Sequence, residues 1–213
     1  MAKFRRSGRR ISLIAALVIP VAVFMLCFAS CTYGGGSATT AKKIDFLALE
    51  LSALEEYVEI GQYKELRISR GERSRGEAVW EEILKGSQVV SYPEEHVYYY
   101  VGQLRTQYSY YAEQAGISYE EMLSQLGADE GSILKEAKEL TREDIIYAIV
   151  VKKESIALTD AEKQALFSKY VDKYVSEYGY TKEYVEENMS EEIYGSMLYD
   201  KTTEFLIVSN DFE

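Results

Sequence analysis

The stretch that most constrains this chain runs from Pro93 to Ala115, PEEHVYYYVGQLRTQYSYYAEQA. Proline is well placed to open a helix, because the N–H it lacks would be unpaired there. Glu94 and Glu95 follow in the first turn, where the helix dipole favours negative charge. Val97, Val101, Leu104, Tyr108, Tyr111 and Ala115 recur at steps of three or four and predict one apolar stripe. Tyr98, Tyr99, Tyr100 and Tyr110 fall beside that stripe. One core cannot face all of these rings, so some are expected to wrap a small core with their hydroxyls in water, or to line a surface for apolar peptide segments.

The rest of the body reads as helices punctuated by glycine. Lys42–Glu56 mixes apolar and acidic residues and can be helical. Tyr57–Ser69 alternates like a strand, with Gly61 as a break, and Arg70–Gly76 is a polar loop. Glu77–Lys85 predicts a short helix with Gly86 just beyond its end, and Val89–Tyr92 is extended into Pro93. Ser118 with Glu121, and Thr159 with Glu162, have capping-box spacing. A long helix starts at Asp129 or Ser132 and runs to about Glu154, with a kink allowed near Leu140–Thr141. Its expected buried positions are Ile133, Leu134, Ala137, Ile145, Ala148 and Ile149. Thr159–Tyr178 is predicted to turn Ala165, Leu166, Tyr170, Val171, Tyr174 and Tyr178 inward. After a short helix at Thr181–Asn188, Ser190 caps a last one carrying Ile193, Met197, Leu198, Phe205 and Leu206. The expected class is all-α, with a small strand element near 57–69 and one domain over 44–213.

The N-terminus has the layout of an export signal. Met1–Arg10 is basic, Ile11–Phe28 is apolar and uncharged, and Phe28-Ala29-Ser30-Cys31 puts small residues before a cysteine. The segment resembles a bacterial lipobox, with Phe28 where leucine is usual. That resemblance implies cleavage after Ser30 and acylation (palmitate) of Cys31 on the extracytoplasmic face of the cell membrane. The other reading is an uncleaved anchor, since the run is just long enough to span a bilayer. Gly34–Thr40 then reads as a flexible tether.

Charge and residue inventory exclude several functions. The 213 residues carry 24 basic and 35 acidic groups, net −11. Loss of Lys3, Arg5, Arg6, Arg9 and Arg10 with a signal would leave 19 against 35, or −16. Nucleic-acid binding needs a basic face and is not expected. Both cysteines, Cys27 and Cys31, lie in the N-terminal segment, so the body has no thiol nucleophile, disulfide or cysteine metal ligand. His96 is the single imidazole and is read as a solvated or packing residue. No calcium loop, glycine-rich phosphate loop or HExxH occurs, so no metal and no cofactor is expected.

Several segments in order carry a family resemblance. SYPEEHV opens the tyrosine-rich helix, AGISYEEML follows, a long helix leads into ESIALTDAEKQ, and YVSEYGYTKEYVEENMSEEIYGSMLYDKTTEFL closes the chain. Together, over Val79–Ile207, they resemble the C-terminal domain of trigger factor, whose fold is shared with SurA-type chaperones. The resemblance implies a helical body with projecting arms that enclose a cradle for unfolded chains. Val58–Leu66 also resembles the segment preceding the FKBP-type isomerase of that family. Only Arg67–Ala78 separates the two matches, too short for that module, and the ribosome-binding domain is missing too. The function implied is a membrane-anchored chaperone that binds unfolded or nascent secreted polypeptides without catalysis. Candidate client contacts are Tyr98, Tyr99, Tyr108, Tyr110, Tyr111, Tyr119 and Met122. The alternatives are a peptidyl-prolyl isomerase, as the family name suggests, or a lipoprotein docking one dedicated partner. A homodimer would be another way to cover the tyrosines.

Overall fold

A computed structural model describes residues 41–213. The expectations for the signal segment, Cys31 and the tether lie outside those residues. Within them the chain is predominantly helical, as the glycine-punctuated periodicity implied. A 3₁₀ turn at Phe46–Ala48 precedes α1 (Leu51–Glu55), β1 (Val58–Glu59), β2 (Arg67–Ile68), α2 (Arg75–Gly86) and β3 (Gln88–Val89). There follow α3 (Glu94–Ala115), α4 (Tyr119–Leu126), α5 (Glu130–Lys153), α6 (Asp160–Tyr178), α7 (Lys182–Asn188), α8 (Ser190–Val208) and β4 (Asp211–Phe212).

Local chemistry sets most helix ends. Thr159 and Glu162 form the full reciprocal box expected of them. At Ser118 only half forms: its Oγ accepts from the Glu121 N–H. Asp129, not Ser132, caps α5, and Ser132 bonds back to it. Gly116, Gly127 and Gly179 end α3, α4 and α6 in the left-handed region that glycine enters without strain. Gly86 does not act this way. It is the last residue of α2, and Ser87 is the cap. The glycine that matters there is Gly61, because a Cβ on it would lie 2.2 Å from the Gly86 carbonyl oxygen. Ser190 is the first helical residue of α8 rather than its cap, which is Met189.

The alternating stretch 57–69 is not one strand. It splits into two two-residue strands in separate sheets. β1 pairs antiparallel with β3, setting Val58 opposite Val89. β2 pairs parallel with β4, setting Ile68 opposite Phe212 near the C-terminus. The period-2 pattern was real, but its partners lie far away in sequence, so the pattern could not show that they differ.

Buried apolar residues fall into three clusters. The body cluster joins Phe46, Leu54, Val58, Ile68, Val79, Ile83, Leu206 and the second half of α5 from Ile145 to Val150. A first lobe gathers α3, α4 and the first half of α5 around Val97, Tyr100, Leu104, Leu123 and Ile133. A second lobe gathers α6, α7 and the first half of α8 around Tyr170, Val171, Tyr174, Val185 and Ile193. Thus α5 and α8 each bury one half in the body and the other in a lobe. α5 runs unbroken through the predicted kink; the Thr141 hydroxyl donates back to the Ala137 carbonyl at 2.8 Å.

Some inward assignments fail. Leu134, Ala165 and Leu166 are exposed, and on α3 Ala112 is buried where Ala115 was expected. Each lobe draws on only three helices, so it covers a narrower arc of each long helix than a complete bundle would.

Candidate functional site: an aromatic and acidic cluster on α2, α5 and α8

α2, α5 and α8 bring together Trp80, Tyr147 and Tyr199. Trp80 and Tyr199 stack with centroids 5.7 Å apart and planes 13° apart. Tyr147 lies 6.3 Å from Trp80 and 5.6 Å from Tyr199. The indole N–H of Trp80 donates to Thr203 Oγ1 at 2.9 Å, which fixes the plane of the ring. The close approach of α2 to α8 depends on Gly76, where a Cβ would be 3.1 Å from Thr203 Cγ2. Arg142 holds the end of α2 by donating to the carbonyls of Leu84 and, at 3.0 Å, Ser87.

Glu143 stands one turn before Tyr147 on α5. Water reaches its side chain, yet protein crowds it enough to push its carboxyl up to about 7. Burial is the main cause; the charges of Asp144 and Glu139 add to it and Arg142 opposes. Tyr199 shows the same pairing of access and crowding: it is 37% exposed, and burial, helped by Glu143, pushes its hydroxyl up to about 12. Trp80, Tyr147 and Tyr199, with Glu143 close enough to act on Tyr199, thus form an aromatic and acidic cluster that water reaches in part. The Tyr147 hydroxyl is buried beside Thr202, whose own proton goes to the Leu198 carbonyl. It makes no hydrogen bond of normal geometry among the described residues.

Each lobe carries a tyrosine bonded to a carboxylate that neighbours a cluster residue in sequence. Tyr100 of the first lobe donates to Asp144 Oδ2 at 2.5 Å, next in sequence to Glu143. Tyr170 of the second donates to Asp200 Oδ2 at 2.5 Å, next to Tyr199. Burial raises both phenols well above their ordinary range, and the carboxylate partner adds to the effect. Lys201 also ties α8 to the start of α6, reaching the Ala157 carbonyl at 2.8 Å and Glu162 at 2.6 Å.

The candidate client residues all belong to the first lobe, and it uses them unequally. Tyr98 and Tyr110 are 56% and 47% exposed. Tyr99 is half-buried against His96 and Tyr100. Tyr108 donates to Glu136 at 3.3 Å and Tyr119 to Glu130 at 2.9 Å, so both join helices of the lobe. Tyr111 accepts from Gln107 at 3.3 Å, and Met122 is half-buried. His96 is a packing residue, fully buried. The residues of the cluster were not singled out from sequence. Glu143 and Tyr147 do share a face of α5 by their four-residue spacing, but nothing in the sequence ties that face to Trp80 or Tyr199.

This arrangement offers ring faces to apolar and aromatic groups, and a carboxyl near half-ionisation at neutral pH. Among the described residues no three His, Cys, Asp or Glu side chains are grouped to hold a metal. No described helix is long and apolar enough to cross a membrane. Comparison with protein-family models, curated proteins and solved structures finds no match.

Proposed function

We propose that this protein is a chaperone-like lipoprotein, anchored through Cys31 outside the bacterial cell membrane, that binds unfolded stretches of secreted polypeptides without catalysing a reaction. The observation that carries the reading is the partly exposed cluster of Trp80, Tyr147, Tyr199 and Glu143 on helices that also enter the body core. The resemblance of the sequence to the trigger factor C-terminal domain supports it, since a body with two helical appendages is in keeping with a body that carries arms. In this reading the client's apolar side chains rest on the rings, while Tyr98 and Tyr110 extend the contact along the first lobe. The strongly acidic balance of the chain keeps it soluble with these rings exposed.

The test is binding of the full chain, in detergent micelles, to a permanently unfolded polypeptide, with a native protein as control. Binding to the unfolded chain alone is expected, weakened several-fold by Tyr199→Ser and less by the double change Tyr98→Ser and Tyr110→Ser. Equal binding to both polypeptides, or none to either, would overturn the reading. Retention of one stoichiometric protein from cell envelopes, together with no binding to the unfolded chain, would identify a dedicated partner instead.

A further inference from the structure

The cluster of Trp80, Tyr147 and Tyr199 is one-sided. Trp80 stacks on Tyr199 with planes 13° apart, so it covers one face of that ring. Tyr147 is 5.6 Å from Tyr199 and 6.3 Å from Trp80, too close to Trp80 to lie across Tyr199 from it. Neither neighbour therefore covers the far face of Tyr199, and the residue is 37% exposed. Gly195 stands one turn earlier on α8, where a Cβ would meet nothing within 4 Å, so that turn has no side chain to crowd the ring. The carboxylates beside this ring have no cation of their own. Burial is the main reason the Tyr199 hydroxyl is raised, and the charges of Glu143 and Asp200 add to it, so both lie close to the ring. Among the described residues no cation is bonded to Glu143. Its neighbour Arg142 turns to Glu139 and to the carbonyls of Leu84 and Ser87, and Lys201 turns to Glu162. Asp200 accepts from the hydroxyl of Tyr170, which brings no charge.

We propose that the far face of Tyr199 receives an arginine side chain of the bound polypeptide, with its guanidinium stacked on the ring as a third layer beyond Trp80 and bonded at its edge to Glu143. The inference rests on the reading of this cluster as the client site, and names the client residue that the site selects. Arginine fits because its guanidinium is flat, weakly hydrated and carries its N–H donors in its own plane. It can lie on a ring face and still reach a carboxylate at its rim. A lysine ammonium can meet Glu143 but has no flat face to lay on Tyr199. An apolar side chain can cover the ring but leaves the charge of Glu143 without a partner. An acidic client segment is repelled by Glu143 and Asp200 together, and by a chain whose net charge is −11. The selected segment is therefore unfolded, apolar and marked by arginine.

Trp80 is the single tryptophan of the chain, so its emission reports on this cluster alone. The experiment titrates the full chain in micelles with three unfolded, tryptophan-free peptides, identical except for a central Arg, Lys or Gln. It is run at pH 8, where the Glu143 carboxyl, raised to about 7, is mostly ionised. The arginine peptide should bind about threefold to tenfold tighter than the glutamine peptide, the range of one cation–π contact at a partly exposed site, with lysine between them. Trp80 emission should change with the same midpoint as binding. In Glu143→Gln the advantage of both cations over glutamine should fall to about twofold or less. In Tyr199→Leu arginine and lysine should bind alike, because the flat face is gone. Both side chains are exposed, and circular dichroism should show the helix content of both variants unchanged. Arginine no tighter than glutamine, lysine equal to arginine, an undiminished preference in Glu143→Gln or a silent Trp80 would each overturn the proposal and leave the chaperone reading standing. Binding of none of the three peptides would overturn both.

Discussion

In the first lobe Tyr100 donates to Asp144, and in the second Tyr170 donates to Asp200, each at 2.5 Å. Around these matching pins the lobes differ. Asp144 also takes His96 Nε2, and the other nitrogen of that ring accepts from the Ile44 N–H. Asp200 is exposed, and its neighbour Lys201 reaches outward to the cap of α6. The first lobe is fastened through buried Tyr100 and His96 to a carboxylate that water partly reaches; the second is bonded to an exposed carboxylate of α8. The expected consequence is a first lobe that moves with the body and a second that loosens separately.

The largest effect should come from the helix that the first lobe shares with the body. Ile149→Ala, at a fully buried position, is expected to cost about 2–5 kcal/mol. It should raise hydrogen exchange in the body and first lobe together, whereas Ile193→Ala should raise it mainly in α6 and α7. Equal spread from both variants would break the comparison. Next, Tyr100→Phe removes a buried hydroxyl bonded to a partly exposed carboxylate that also takes His96, and should cost about 1–3 kcal/mol by chemical denaturation. Tyr170→Phe leaves an exposed Asp200 that water can serve, and should cost less, about 0.5–1.5 kcal/mol. The reverse order would mean that the second lobe is the tighter one.

Two smaller effects have opposite signs with pH. The Glu143 carboxyl is raised to about 7, so the folded chain favours its protonated form. Its contribution is complete below the ordinary carboxylate range and is lost as pH rises through 7. Because water reaches this side chain, the effect is discounted to about 1 kcal/mol, and Glu143→Gln should flatten that part of the stability profile. Glu162 is lowered to about 2 by Lys201 first and then by Thr159. Its contribution is present above the ordinary carboxylate range and is lost as pH falls toward 2. In Lys201→Met the acid-induced fraying of α6 should begin at higher pH, and added salt should mimic the change in part. Hydrogen exchange at the first turn of α6 would follow it.

Signals that depend on neighbours three or four residues away were legible. The caps at Thr159 and Asp129, the left-handed glycines at 116, 127 and 179, and the buried run Ile145, Ala148 and Ile149 follow from helix geometry alone. Tyrosine-rich α3 was also legible as a helix, but not which of its rings would be spoken for. Tyr108 and Tyr119 look as available in sequence as Tyr98, and only the approach of Glu136 and Glu130 withdraws them. The strand pairings lay out of reach for the same reason: β2 meets β4 across almost the whole described chain.

By itself, the sequence determined the helical class, most helix ends and the absence of a basic or thiol-bearing body, because these rest on local periodicity, backbone conformation and residue inventory. Only the tertiary structure decided that α5 and α8 each serve two cores, that Trp80, Tyr147, Tyr199 and Glu143 come together, and that His96 accepts from the Ile44 N–H. Those outcomes depend on which faces meet across tens of residues, and a one-dimensional pattern carries the face but not its partner.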